Sequence, residues 1–462
     1  MNGLGFVLDD ACFALARDGA LVSAQPSIVH AESRPAAAAG LAATVAGASA
    51  VSVVRATPTL VSSRHWFQLA TGDAPLPRSL AIAGAELGSR LSGQPDLATT
   101  PVCVALPPHF DARSLPHVLG LLRAITPRVA AFVDAAALTA AALQLRGAVV
   151  VLDVGLHHAG ATRVEGSASE VRRRSAEVRR SGGLESVHEA WLQLVSEAMV
   201  LRTRFDPLHE ASTEQRLFNV LGVLAAQASA EGSATVSLPV GNERFEVQLS
   251  RDQFAARAAP FYRDLVAMVH ELRPAGMALT LVVPEHASAL PGLREALAEF
   301  RGCELVVAPR GCAAVAASRF VTDDAPALGA VRWLRGVPRF AEPQYPADER
   351  PVPLALGGGD DPASRPTHVL WSGRAIALAG RAVEIGRAPQ AGGVQLPDGL
   401  AGVSRLHCTL RDEGEALVLI DHSRYGTLVN GERVSGRARL RAGDVVRIGD
   451  PGIELSLMSV GS

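Results

Sequence analysis

The chain has 462 residues, of which 48% are apolar and 19% charged, and its formal net charge is −2. That length accommodates two or three domains; the composition excludes a disordered protein, and the near-neutral charge argues against wholesale attraction to nucleic acid or to an anionic membrane surface. Lysine is absent and all 44 basic residues are arginine, which excludes any mechanism that needs an ammonium group, a Schiff base or a phosphate-loop lysine.

The first residues, MNGLGFVLDDACFALARDG, lack a basic segment ahead of an apolar one, so no secretory signal is expected. The most apolar stretch, 129–152, is interrupted by Asp134 and Arg146 and reads as a buried helix followed by a strand, without membrane insertion. Five cysteines (Cys12, Cys103, Cys303, Cys312 and Cys408) are scattered without metal-ligand spacing, as in a reducing cytoplasm. Across residues 1–340, strands such as VVVLDVG, ALTLVV and CELVVA alternate with helical stretches such as DQFAARAAPFYRDLVAMVHEL, which predicts an α/β region. The run EVRRRSAEVRRSGG (170–183) holds five arginines; interleaved with glutamate, it reads as a solvated face, with a surface for an acidic partner as the alternative.

In chain order, GFVLDDACFALA (5–16), FVDAAALTAAAL (132–143), VVVLDVGLHHAGATRV (149–164), SGGLESVHEAWL (181–192), LSRDQFAARAAPFYRDLVAMVHEL (249–272), ALTLVVPEHASALPGLREALAEF (278–300) and VVAPRGCAAVAASR (306–319) form a series. It resembles the hairpins, helices and adenosine element of the actin and heat-shock-chaperone ATPase superfamily. The resemblance implies an actin-like, ribonuclease-H-like ATPase fold over 1–340. Its chemistry carries over poorly. Val7 stands where the family has its magnesium aspartate, and Asp9 and Asp10 stand where small residues let amides approach phosphates. Asp153 and Gly155 survive in the second hairpin, but Leu156, His157 and His158 replace its Gly-Gly-Thr cradle, and Pro284, Glu285 and His286 replace the paired glycines of the adenosine element. A domain deficient in nucleotide binding is therefore expected, with no catalytic residue, no assigned metal and no cofactor, ATP with magnesium being the doubtful exception. Asp9, Asp10, Asp153, Gly155, His157 and His158 remain as remnants of a nucleotide or metal site; nothing in the sequence says that they converge.

Residues 341–365, rich in proline and containing Gly-Gly-Gly-Asp-Asp, read as a linker that is stiff at one end and flexible at the other. Beyond it, 366–462 divides into short strands (THVLWSG, AIALAG, AVEIGR, LHCTLRD, ALVLIDH, TLVNG, DVVRIG) separated by turn residues, which predicts an all-β sandwich. Gly386-Arg387, then VSRLHC with Ser404 and His407, then DHSRYGT and Asn430-Gly431 follow in order. This segment resembles the forkhead-associated (FHA) domain, a sandwich that binds phosphothreonine peptides through loops at one end. A phosphothreonine carries nearly two charges and three acceptor oxygens, which suits a guanidinium fork joined by hydroxyl and amide donors. The resemblance places Arg387, Ser404, Arg405, Arg424 and Tyr425 at the phosphopeptide, with Gly386, His407, Gly426, Asn430 and Gly431 in structural support. Arg424 and Tyr425 depart from the family's Thr-Asn pair, so phosphate affinity is expected to outlast peptide specificity.

Together these expectations describe a cytoplasmic, phosphothreonine-dependent adaptor or scaffold without enzymatic activity. Its partners are a phosphothreonine-containing protein and an active chaperone or actin-like protein, with no nucleic acid. The alternatives are an active ATP-dependent chaperone-like protein and an actin-like assembly scaffold of a secretion or pilus system.

Overall fold

The computed structural model describes residues 3–31, 44–71, 77–274, 277–300, 302–320, 331–340, 354–355, 366–371, 374–378, 381–390, 392–397, 401–414, 416–430, 432–441, 444–449 and 452–458.

The N-terminal region is mixed α/β and holds two large sheets. In the first, β1 (Leu4–Val7), β2 (Phe13–Arg17) and β3 (Ala20–Gln25) form an antiparallel meander, and β4 (Val102–Leu106) and β5 (Val129–Asp134) add in parallel beside β1. The second repeats this plan. Strands β6 (Gly147–Val154), β7 (Ala159–Gly166) and β8 (Glu170–Arg179) form the meander, and β9 (Leu279–Pro284) and β10 (Glu304–Ala308) add in parallel beside β6. Both sheets thus share the order third-second-first-fourth-fifth. This repeat has no counterpart as a short internal sequence repeat. It is a repeat of pairing, which depends on strand burial and direction and not on residue identity.

The strands next to the centre of each sheet are continuously apolar because both faces are covered, as Val102–Leu106 illustrates with all its residues buried. Between the sheets lie two alanine-rich helices, α1 (Ala135–Ala142) after β5 and α2 (Cys312–Arg319) after β10, which contribute Ala137, Ala140 and Ala141 and, facing them, Ala313, Ala316 and Ala317 to one core. Their small side chains allow close helix packing. Asp134 starts the first of these helices by accepting from the Ala137 amide at 3.0 Å. It also receives Arg173 at 3.0 Å, so one arginine of the 170–183 run is half-buried and paired with a buried acid. The neighbouring arginines pair on the surface, Arg174 with Glu165 and Arg179 with Glu271.

Strand Gly336–Pro338 still belongs to the second sheet. Of the predicted linker only Leu354 and Ala355 are described, and they pair antiparallel with β10. The rest of 341–365 lies outside the described residues. The C-terminal region is an all-β sandwich. One sheet runs Val394–Gln395, Val383–Gly386, Cys408–Asp412, Leu417–Asp421 and Arg437–Leu440, and the facing sheet is built around Ile453–Met458, Val445–Ile448 and Thr427–Val429. Ile385, Leu410, Leu419, Val446, Ile448 and Leu455 fill the space between them. The first sheet with its helices forms one lobe of the N-terminal region and the second sheet with its helices the other, and the sandwich contacts the second lobe: Arg163 pairs with Glu432, and buried Arg273 lies 3.8 Å from buried Asp444. Among the described residues no helix is long and apolar enough to cross a membrane.

Candidate functional site

Three loops meet at one end of the sandwich. The first follows strand Val383–Gly386, the second, 403–407, precedes Cys408–Asp412, and the third, 422–426, follows Leu417–Asp421. Backbone hydrogen bonds from Arg387 to the Ser404 carbonyl (3.2 Å) and from Ala388 to the Arg405 carbonyl (2.9 Å) lay the first loop along the second. Gly386 is required at this seam, because a Cβ there would lie 2.2 Å from the Arg405 carbonyl oxygen.

His407 locks the second loop to the third. Its ring is fully buried; Nδ1 accepts the Ser404 amide proton at 3.1 Å, so the proton of the neutral ring sits on Nε2, 3.3 Å from the Gly426 carbonyl. Burial lowers the basicity of this ring, which keeps Nδ1 free to accept. The third loop folds on itself. The Asp421 carboxylate accepts from the Ser423 amide and the Thr427 hydroxyl, and the Ser423 hydroxyl accepts from the Gly426 amide at 2.7 Å. Asp421 and Ser423 are organising residues that sequence reading passed over. The local signal was the Asp-x-Ser spacing of an Asx turn.

The Ser404 hydroxyl sits 3.4 Å from the Arg424 amide, and Arg424 and Tyr425 are exposed, with the guanidinium 5.7 Å from the ring centroid. Arg405 is exposed on the adjoining loop, and the Arg387 Nε is buried without a partner among the described residues. The three adjoining loops thus carry a hydroxyl, an amide and three arginines, which are the donor types that a phosphate dianion needs. Asn430 stands apart from this cluster. Its backbone is left-handed, with φ at 50°, and its amide spans to Asp444 and the Val445 amide at 2.9 Å each, stapling a neighbouring turn. Gly431 lies outside the described residues.

A second cluster occupies the cleft between the two N-terminal sheets, at the carboxyl ends of β1, β4 and β6. The first hairpin sends the Asp10 carboxylate across to the second, where it accepts the backbone amides of Leu156 (2.7 Å) and His157 (3.1 Å). Bulky side chains at 156–158 therefore do not shield these amides; a carboxylate of the same chain occupies them. Gly155 is needed beside it, since a Cβ there would meet the His158 ring at 2.2 Å and the Asp10 carboxylate at 2.5 Å. His158 lies between two acids, with Nε2 at 2.8 Å from Asp153 and Nδ1 at 3.6 Å from Asp10. Burial opposes its charge, yet the two carboxylates hold its basicity well above that of an ordinary histidine. Burial likewise works against the Asp10 carboxylate, but His158 keeps its pKa at about 2. Asp9 goes the other way: burial, aided by the charges of Asp153 and Asp10, raises its pKa well above the carboxylate range.

His157 turns out of this cluster, to the Ser63 hydroxyl (3.0 Å) and Glu185 (2.9 Å). In its place stands His109, which sequence reading missed. It follows β4 in the segment LPPHF, more than forty positions from Asp153, and only its position at a strand's carboxyl end, where α/β folds place their crevices, hints at a role. Single ligand atoms of His109, Asp153 and His158 lie within 4.8 Å of one another, close enough to share one ion. The adjoining cavity, about 110 Å³ and lined by Asp9, Cys12, Asp153, Thr162, Glu285 and His286 among others, is smaller than the roughly 300–1,000 Å³ of most ligand pockets. His286 narrows it by reaching the Val154 carbonyl at 2.8 Å.

Residues 383–449 match the family model of the FHA domain. A comparison with curated proteins finds no match. The matched span contains all three loops and the staple at Asn430, so the C-terminal sandwich carries an FHA domain, a module whose partners are phosphothreonine-containing proteins.

Proposed function

We propose that the chain is a cytoplasmic, phosphothreonine-dependent adaptor. Its FHA domain would read a phosphorylated partner through Arg387, Ser404, Arg405 and Arg424, with Tyr425 against the peptide, while the N-terminal region engages a second protein. The observation that carries this reading is the meeting of three loops that carry hydroxyl, amide and guanidinium donors, with the buried Arg387 Nε lacking a partner among the described residues. Hydrogen bonds to an ionised group contribute about 1.5–3 kcal/mol each, so three of them support roughly micromolar binding after ordering costs.

For the N-terminal region we infer an actin- and heat-shock-chaperone-like fold that does not turn over ATP. The shared strand order of the two sheets supports the fold. The Asp10 carboxylate supports the loss of activity, since it satisfies the hairpin amides that a nucleotide phosphate would otherwise require. An active chaperone-like protein of the same superfamily is a natural second partner for such a domain.

Binding of the full chain to a degenerate phosphothreonine peptide library, set against the same library unphosphorylated, tests the first half. Selective capture of phosphorylated peptides is expected, and equal capture of both would remove the assignment. Thermal denaturation with millimolar Mg-ATP or Mg-ADP tests the second, because a ligand at a hundred times its dissociation constant stabilises by about 2.7 kcal/mol. A flat response is expected, and a clear upward shift would revive the enzyme reading.

A further inference from the structure

We propose that His109, Asp153 and His158 form a binding site for one divalent transition-metal ion of the zinc class, with a fourth coordination position open to the cavity between the lobes. Three observations carry this. The ligand atoms come from two backbone segments, the turn after β4 and the hairpin of β6 and β7, and lie within 4.8 Å of one another. One Asp153 carboxylate oxygen stands 2.8 Å from His158 Nε2 and 3.7 Å from His109 Nδ1, and ligands about 2.1 Å from a tetrahedral zinc ion are about 3.4 Å apart. Small side-chain adjustments therefore bring the set onto one ion.

The second observation is His109 itself. Its ring is 1% exposed, and neither nitrogen has a hydrogen-bond partner among the described residues. Burying polar nitrogens unpartnered is costly, and buried polar groups without protein partners are uncommon. The ring also lies only 3.8 Å, centroid to centroid, from that of His158, tilted 50° to it. Two imidazoles gathered around one carboxylate oxygen, one of them without partners, form a donor set in want of a Lewis acid.

The third is the surrounding support. His158 presents its other nitrogen to Asp10 at 3.6 Å, and Asp10 is fixed by the Leu156 and His157 amides. A carboxylate behind a metal-bound imidazole orients the ring and raises its basicity. Two histidines and one carboxylate suit zinc or cobalt better than magnesium or calcium, which prefer all-oxygen shells. Asp153 lines the cavity, with 15% of its side chain exposed, leaving room for water or a small anionic ligand at the fourth position.

The test uses the full chain, stripped with a chelator and titrated with Co²⁺ and then Zn²⁺. Expected are one equivalent of Co²⁺ with the visible absorption of a four- or five-coordinate site, its displacement by one equivalent of Zn²⁺, and a raised thermal midpoint. His109→Gln should lose the band and weaken binding at least a hundredfold while keeping its circular dichroism and its phosphopeptide binding, so failure here is distinguishable from failure of the adaptor reading. A wild-type chain that shows neither band nor thermal shift overturns the proposal however the variants fold. So does a band that persists in His109→Gln, which would mark adventitious binding by other histidines. If His109→Gln does not fold, an anomalous-scattering peak from zinc-soaked wild-type crystals decides: between His109, Asp153 and His158 it upholds the site, and elsewhere it removes it.

Discussion

The FHA loops and the N-terminal cleft are two versions of one construction. In each, turns at strand ends meet and present backbone amides beside cationic side chains, and in each a histidine links the turns. At the FHA end Arg405 and Arg424 are exposed, and the buried Arg387 Nε has no partner among the described residues. In the cleft the amides of Leu156 and His157 are already taken by Asp10. Amide donors at a turn do not by themselves make a phosphate site, because an anion of the same chain, held at high effective concentration, competes ahead of any ligand. The histidines differ in the same sense. At His407 burial outweighs the pull of Asp421 and the Gly426 carbonyl and lowers the ring's basicity, whereas His158 is buried between two acids that hold its proton more tightly than in a free histidine.

The largest effect that would break this comparison is expected from Asp10→Ala. Removing one partner from a buried charged network costs about 3–5 kcal/mol, to be read from urea denaturation of the full chain. Millimolar inorganic phosphate should recover part of that loss in the variant and none in the wild type, since only the variant has free hairpin amides. Equal phosphate effects on both would show that Asp10 does not close the site.

On the FHA side, Arg387→Ala should weaken binding of the best phosphopeptide from the library about a hundredfold, the equivalent of one to two charged hydrogen bonds. Fluorescence anisotropy would show it, and an unchanged dissociation constant would place the phosphate elsewhere. Ser404→Ala should cost less, about tenfold, because it removes one hydroxyl and leaves the backbone amide of Arg424 in place.

The smallest effect is that of pH on His407. Burial depresses its basicity in the folded protein, so the group contributes stability that is present above its ordinary value of 6.5 and lost as pH falls through the lower folded value. Protonated Nδ1 cannot accept from the Ser404 amide. The ring's carbon-bound protons, followed by NMR, should therefore titrate below pH 6.5, and loop order should be lost in the same interval. Titration above 6.5 would contradict the neutral brace.

How much was legible depended on whether a feature is local in the chain. The FHA loops announce themselves in short segments, GR at 386–387, SRLH at 404–407 and DHSRYGT at 421–427, because tight turns and close backbone seams admit few residue types, as the Arg405 carbonyl beside Gly386 illustrates. Likewise the alternation of apolar strands with long helices reveals an α/β region, since burial on both faces demands continuous apolar runs. By contrast, no pattern in the chain couples Asp10 to residues 156–157 or His109 to Asp153. Those meetings depend on two sheets bringing separate turns into one cleft, and whether a carboxylate there repels a ligand or replaces it depends on distances of a few ångströms. Composition and local turn chemistry thus determined which side chains were available and which segments formed sheets. Only the tertiary structure decided which donors stayed open and which were satisfied from within, because electrostatic and hydrogen-bonding partners are chosen by proximity in space.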